Sequence, residues 1–242
     1  MNYSENPKKY LFISFFLCLV TSALTGCVDL SGAKLTPEKK VSYYPKKSKN
    51  NLKKHSSHNA RSQGEVHTML GGLGMFSIGM DQVRNDIAAQ YKDVSASSNM
   101  WYNAGDVSAS IIHYYYKHKM HRPIILMGHS LGANEQIKVA RNLNAAGIPV
   151  ELLVTVDAVS QSIVPPNVKE VLNLYKPGFI PMFSGLKLKA VDPNVTVIEN
   201  VNVTTLKDID VNHFTIDKDK ALQALILDKV KKVLVDGNKK AA

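Results

Sequence analysis

Cysteine is almost missing from this chain of 242 residues, which contains only Cys18 and Cys27. Cys18 sits inside the apolar run Leu11 to Val20, which follows Lys8 and Lys9 and leads into the small and polar residues TSALTGC. That run is too short for an ordinary transmembrane helix and has the layout of a secretory signal, so Cys18 is expected to be removed with it. One cysteine then remains, and an internal disulfide is impossible. Stability must come from a core, which the 45% hydrophobic composition can supply within one ordinary domain. Phosphate-cradling motifs are missing too. There is no G-x-x-x-x-G-K-[ST], and the glycines after residue 70 do not keep G-x-G-x-x-G spacing. His67, His113, His118 and His121 form no ligand set, so no metal site is expected.

Acidic residues are scarce at one end only. Residues 1–63 hold 11 of the 30 Lys and Arg and 3 of the 20 Asp and Glu, whereas residues 64–242 hold 19 and 17. The net charge of +10 is therefore concentrated in the N-terminal segment, which argues against nucleic acid as a partner of the domain. The stretch LTPEKKVSYYPKKSKNNLKKHSSHNARSQG has too few large apolar residues to fold alone and reads as a disordered basic tether over 27–63. As a flexible coil of about 36 residues it would span roughly 30–36 Å. Its lysines suit either solvent or an anionic lipid surface.

The residues Leu24-Thr25-Gly26-Cys27 resemble the lipobox of bacterial lipoproteins. The resemblance implies a signal peptide over 1–26, lipidation of Cys27 and anchorage to a membrane of the cell envelope. Val28, in place of aspartate, points under the same resemblance to the outer membrane of a Gram-negative cell.

From residue 64 to 242 short apolar runs alternate with helical patterns, the sign of a doubly wound, mostly parallel α/β sheet with helices on both faces. Six strands are expected, at 66–70, 94–97, 124–127, 152–156, 168–174 and 195–201. Helices are expected at 80–91, 107–119 and 131–146, the last presenting Ala133, Ile137, Ala140 and Leu143 on one face. A final helix carries a stripe of Leu222, Leu225, Ile226, Val230, Val233 and Leu234.

The chemistry concentrates in Gly128-His129-Ser130-Leu131-Gly132, a G-x-S-x-G pattern in which a tight strand-to-helix turn lifts the serine hydroxyl above a sheet. The bare pattern arises by chance in roughly one chain of this length in ten, so context decides. Here PIILM reads as a buried strand directly before it and LGANEQIKVARNL as an amphipathic helix directly after. An unassisted serine is a poor nucleophile near neutral pH and needs a histidine base held by a carboxylate, in chain order Ser, acid, His. Only His213 lies downstream of Ser130. Asp157, at the end of ELLVTVDAV, projects from the C-terminal edge of the next strand and is the first choice of acid, with Asp192, Asp208 and Asp210 as alternatives. The oxyanion hole is expected from the N–H of Leu131 and one from the glycine-dense loop LGGLGMFSIGM, at Gly72 or Leu73. His129, beside the nucleophile, is expected to point elsewhere and pack.

Ser130, Asp157 and His213, with the glycine loop after the first strand, resemble the α/β-hydrolase superfamily over residues 65–235. The tracts GLGMFSIGMDQV, GHSLGAN and LLVTVDAV resemble small bacterial lipase- or thioesterase-like proteins. The resemblance implies a serine hydrolase of acyl esters or thioesters that needs no cofactor. One departure is that Leu70-Gly71-Gly72 stands where many lipases carry His-Gly. Trp101, Phe179 and Phe183 are expected to line a substrate pocket, with the loop around Phe179 as a small apolar lid or a cover for the core. The competing expectation is a catalytically silent lipoprotein that uses the same fold as a binding or scaffold module.

Overall fold

The computed structural model describes residues 64–239 except Leu73, Gln161, Pro181 and Met182, and side chains as far as residue 235. The expected signal, Cys27 and tether lie outside the described residues.

Among the described residues there are eight strands and four α-helices. In chain order these are β1 (Gly64–Leu70), α1 (Ile78–Gln90), β2 (Val94–Met100), α2 (Ala104–Lys117), β3 (Ile124–His129), α3 (Leu131–Ala145), β4 (Val150–Val156), β5 (Ile163–Val164), β6 (Val168–Tyr175), β7 (Lys189–Ala190), β8 (Val197–Asn202) and α4 (Lys220–Lys239). Six strands form one sheet in the order β2-β1-β3-β4-β6-β8, and β5 pairs with β7 alone. Every pairing in the main sheet is parallel.

Position in that order explains each strand's composition. β3 is central and covered on both faces, so IILMGH is buried throughout. β2 and β8 are the edges, and their sequences VSASSNM and VIENVN are mostly half-buried and polar. This is why β2 runs three residues past the expected end at Ser97: Ser98, Asn99 and Met100 pair with Thr68 to Leu70 but form no apolar run.

Two cores flank the sheet. On one face Met80, Val83 and Ile87 of α1 join Leu222, Ile226, Val230 and Leu234 of α4 over Ile125, Met127 and Val154. On the other, Val107 and Ile111 of α2 join Ile137, Ala140 and Leu143 of α3 over Leu126 and Leu153. Leu126 is fully buried, and Leu126→Ala should cost about 2–5 kcal/mol. Leu225 does not join the stripe: it is 44% exposed, because residues spaced by four from Leu222 already fill the buried face. Among the described residues no helix is long and apolar enough to cross a membrane.

The first crossover runs β1 to β2 towards one edge, and the chain then returns to place β3 on the other side of β1. The C-terminal ends of β1 and β3 thus meet where the winding reverses, the place at which such sheets open a crevice.

Candidate active site

Ser130 follows β3 at that crevice with φ 59 and ψ −127, a conformation that costs a non-glycine residue roughly 1–3 kcal/mol. The backbone around it permits this turn only with glycines. A Cβ on Gly128 would lie 2.5 Å from the Gly132 carbonyl oxygen, and one on Gly132 would strike the Met69 carbonyl. The Ser130 N–H donates to the Val156 carbonyl at 2.9 Å, tying the turn to β4. Ser130 occupies the N-cap of α3, where a serine oxygen normally accepts a bond from the first-turn N–H groups. It makes no such cap. The hydroxyl instead meets His213 Nε2 at 2.9 Å.

His213 Nδ1 lies 2.7 Å from Asp157 Oδ2, in a pair whose side chains are almost wholly buried. Asp157 terminates β4 at φ 50, a left-handed conformation that aspartate tolerates better than most residues. Its N–H donates to the Leu174 carbonyl at 2.8 Å, and its Oδ1 accepts the Lys176 N–H at 2.8 Å. The other carboxylate oxygen is left to His213. The Lys176 ammonium donates to the Val211 carbonyl, so one residue steadies both the acid and the loop bearing His213. Asp192 instead accepts the Asn194 N–H in its own turn, and Asp208 and Asp210 are exposed.

The loop after β1 lies against this turn. A Cβ on Gly71 would sit 2.8 Å from Ser130 Cβ and 3.1 Å from the Leu131 nitrogen. The Gly71 carbonyl accepts the Gly74 N–H at 2.9 Å, closing a β-turn with Gly72 at φ +53. Because carbonyl and N–H oppose each other across a trans peptide, Gly72 directs its N–H away from Gly74. Trp101 donates its indole N–H to the Gly72 carbonyl at 2.8 Å. The N–H groups of Leu131 and Gly72 have no protein acceptor among the described residues. Leu73 lies outside them.

His129 is fully buried and hydrogen-bonded through both nitrogens: Nδ1 is 2.8 Å from Ser77 Oγ and Nε2 is 2.8 Å from the His213 carbonyl oxygen. Burial first, and the neighbouring His213 second, depress its pKa to about 3. His129 thus packs away from the nucleophile, as its place in the turn implies, whereas nothing in the sequence points to Asn134. Its Oδ1 accepts the N–H groups of Val159 and Ser160 at 2.9 and 3.3 Å and so pins the segment after Asp157. Asp217, just past the His213 loop, accepts the Gly79 N–H at 2.8 Å and caps α1. Burial raises its carboxyl to about 6 against the lowering pull of that bond. No composition or spacing signal marks Asn134 or Asp217, nor the partners of His129, since each acts on a segment remote from its own.

Apolar side chains rim the site. The ring of Phe183 lies 5.4 Å from His213 and 5.3 Å from Phe214, and Phe214 lies 5.2 Å from Phe76. Phe179, expected in the pocket, is fully exposed, as the tip of a loop whose nearer residue Phe183 takes the contact with His213. Trp101 is half-buried and meets the site loop through the indole N–H bond to Gly72.

No protein-family model matches the chain, and no curated protein matches it. Among solved structures it resembles a gene product of Listeria innocua at 10% identity and TM-score 0.43, covering 67% of this chain and 91% of that one. It resembles the NocB thioesterase domain from the nocardicin cluster at 14% identity and TM-score 0.39, covering 71% and 94%. It also resembles the RedJ thioesterase of prodiginine biosynthesis in Streptomyces coelicolor at 8% identity and TM-score 0.38, covering 67% and 83%. Similarity at this level carries nothing about substrate. The all-parallel sheet with its serine turn after the strand beside β1 is the α/β-hydrolase fold.

Proposed function

We propose that the protein is a serine hydrolase of carboxylic esters or thioesters, with Ser130 as nucleophile, His213 as general base and Asp157 as the carboxylate that orients it. The observation that carries this reading is the continuous contact Ser130 Oγ to His213 Nε2 at 2.9 Å and His213 Nδ1 to Asp157 Oδ2 at 2.7 Å. A serine in a strained turn that forgoes its helix cap for a histidine is arranged for proton transfer.

Ser130 Oγ attacks the acyl carbon as its proton passes to His213 Nε2. The carbonyl electron pair moves onto oxygen, which the N–H groups of Leu131 and Gly72 stabilise. Collapse breaks the bond to the leaving oxygen or sulfur, which takes the proton from His213 and departs, leaving an acyl-serine. Water then attacks the acyl carbon, giving its proton to His213. The second collapse releases the carboxylic acid and returns the proton to Ser130. Asp157 keeps Nδ1–H in place and stabilises the imidazolium without itself being protonated. The rim of Phe76, Phe183 and Phe214 favours an apolar acyl group. The lipobox-like Leu24 to Cys27 supports, as part of the same reading, a lipid-anchored enzyme of the cell envelope acting on phospholipids, acylated glycans or small esters.

The test is labelling of the purified full-length chain with a fluorophosphonate. One adduct per wild-type chain, none in Ser130→Ala and far slower labelling in His213→Ala are expected. A folded wild type that does not label would instead favour the silent binding module.

A further inference from the structure

We propose that His129 is a positioning residue: one directed hydrogen-bond chain through its imidazole holds the His213 loop and the Gly71–Gly72 turn in a fixed relation. The proposal rests on the reading of Ser130 and His213 as nucleophile and base, and it names what keeps base and oxyanion donors aligned.

The direction of the chain follows from the chemistry of its ends. The His213 carbonyl can only accept, so the hydrogen shared at 2.8 Å belongs to His129 Nε2. In a neutral imidazole Nδ1 is then the acceptor, and the Ser77 hydroxyl, 2.8 Å away, must donate to it. The remaining capacity of Ser77 Oγ receives the Gly71 N–H at 3.0 Å. Four segments are thus linked in one order: Gly71 N–H to Ser77, Ser77 O–H to His129, His129 N–H to the main chain of His213. A cationic His129 would reverse the middle link and turn the Ser77 hydroxyl towards the Gly71 carbonyl, 3.4 Å away, where the bond is poorer. Complete burial, with His213 and the Lys218 ammonium as the charged neighbours, keeps the imidazole neutral across the range in which a catalytic histidine titrates.

Two consequences concern the reaction. The ring of His213 is held by Asp157 and Ser130, but the pivot of that ring is its main chain, and His129 grips the carbonyl of that very residue. Gly71, whose N–H is taken by Ser77, cannot serve the oxyanion, which leaves Gly72 as the described donor of that loop. The same two segments are also joined by Asp217 to Gly79 at 2.8 Å and by the Phe76 and Phe214 rings. Loss of His129 should therefore loosen the alignment without abolishing it.

The experiment compares full-length wild type, His129→Gln, His129→Asn and Ser77→Ala in hydrolysis of a p-nitrophenyl ester and in fluorophosphonate labelling, with thermal unfolding alongside. The ring tautomer of His129 is read by 15N NMR. His129→Asn, too short to reach the carbonyl, should lower kcat and the labelling rate roughly 10–100-fold with little change in KM. His129→Gln, whose amide N–H reaches further, should recover most of that loss, and Ser77→Ala should fall between. A folded His129→Asn with wild-type kcat, or a Gln variant no better than Asn, would overturn the proposal. If the Asn variant does not fold, Ser77→Ala decides, and wild-type kcat there overturns it. The NMR arm is independent of activity. A neutral Nε2–H tautomer from pH 8 to 5 is expected, while an Nδ1–H tautomer or titration near pH 6.5 refutes the chain. A wild type that fails to label but shows the Nε2–H tautomer would sink the hydrolase reading and leave the structural tie intact.

Discussion

The two sides of the crevice are built from opposite materials. On one side Ser130, His213, Asp157 and His129 are polar groups matched one to one with partners at 2.7–2.9 Å. On the other, Phe76, Phe183 and Phe214 touch through ring faces and edges, and beyond them Met75, Phe179 and Ile180 stand open to solvent. A buried polar group left without its partner costs about 1–3 kcal/mol, so the first side tolerates few substitutions. Apolar contact is shared over area, so many residues would serve on the second. On the proposed hydrolase reading, the first side would fix the reaction and the second would select the acyl group.

The sharpest way to break that contrast is to change one atom on the polar side. Asp157→Asn should lower kcat by about 10³–10⁴-fold, because the amide favours the wrong His213 tautomer. Asp192→Asn, engaged only in its own turn, should stay within about 2-fold. Steady-state kinetics on one ester decides, and reversed sizes would move the acid to Asp192.

Gly132→Ala is expected to have the next largest effect, on stability. The new methyl meets the Met69 carbonyl of β1, and a loss of about 2–4 kcal/mol in urea unfolding is expected. Retention of wild-type stability would mean that the turn and β1 are not packed as described.

What was legible in the sequence follows the same division. Apolar runs gave the six strands, and the G-x-S-x-G pattern with chain order singled out Ser130, Asp157 and His213, which the fold brings together. Local pattern sufficed because each of these residues ends a strand or stands in a short loop. The supports were not legible: Ser77 and His129 lie 52 positions apart, and Gly79 and Asp217 lie 138 apart. No local period records such a pairing. Lys176 serves Asp157 through its backbone N–H, which its side-chain identity does not reveal. The sequence marks Phe179 and Phe183 alike as pocket residues, and only the course of the loop decides that Phe183 meets His213 while Phe179 stands in solvent.

Asp217 gives the comparison a pH dependence. Its carboxyl is raised from 3.8 to about 6 in the folded protein, chiefly by burial. The folded state therefore binds the proton more tightly than the unfolded chain does. The stability associated with the protonated form is complete below about pH 3.8 and is lost as pH rises through about 6. The stability of wild type relative to Asp217→Asn should fall by on the order of 2 kcal/mol between pH 4 and 7. Unfolding of both proteins at the two pH values measures it. A difference that rises with pH would contradict the assignment. His129 has the opposite sign, with a depressed pKa whose stability is present above pH 6.5 and lost as pH falls towards 3.

The smallest effects belong to the rim. Phe183→Ala should raise KM for an octanoyl ester about 3–10-fold while changing that for an acetyl ester less. Phe179→Ser should leave stability within about 0.5 kcal/mol. Equal effects of Phe183→Ala on both esters would remove the rim from acyl selection.

The most direct test of the central claim is to quench the full-length protein during turnover of a p-nitrophenyl ester and map the acyl group by mass spectrometry. One acyl group is expected on the peptide containing Ser130, accumulating at the expense of free enzyme and lost on standing. Turnover with no acyl-serine, or with the acyl group on another residue, would contradict it.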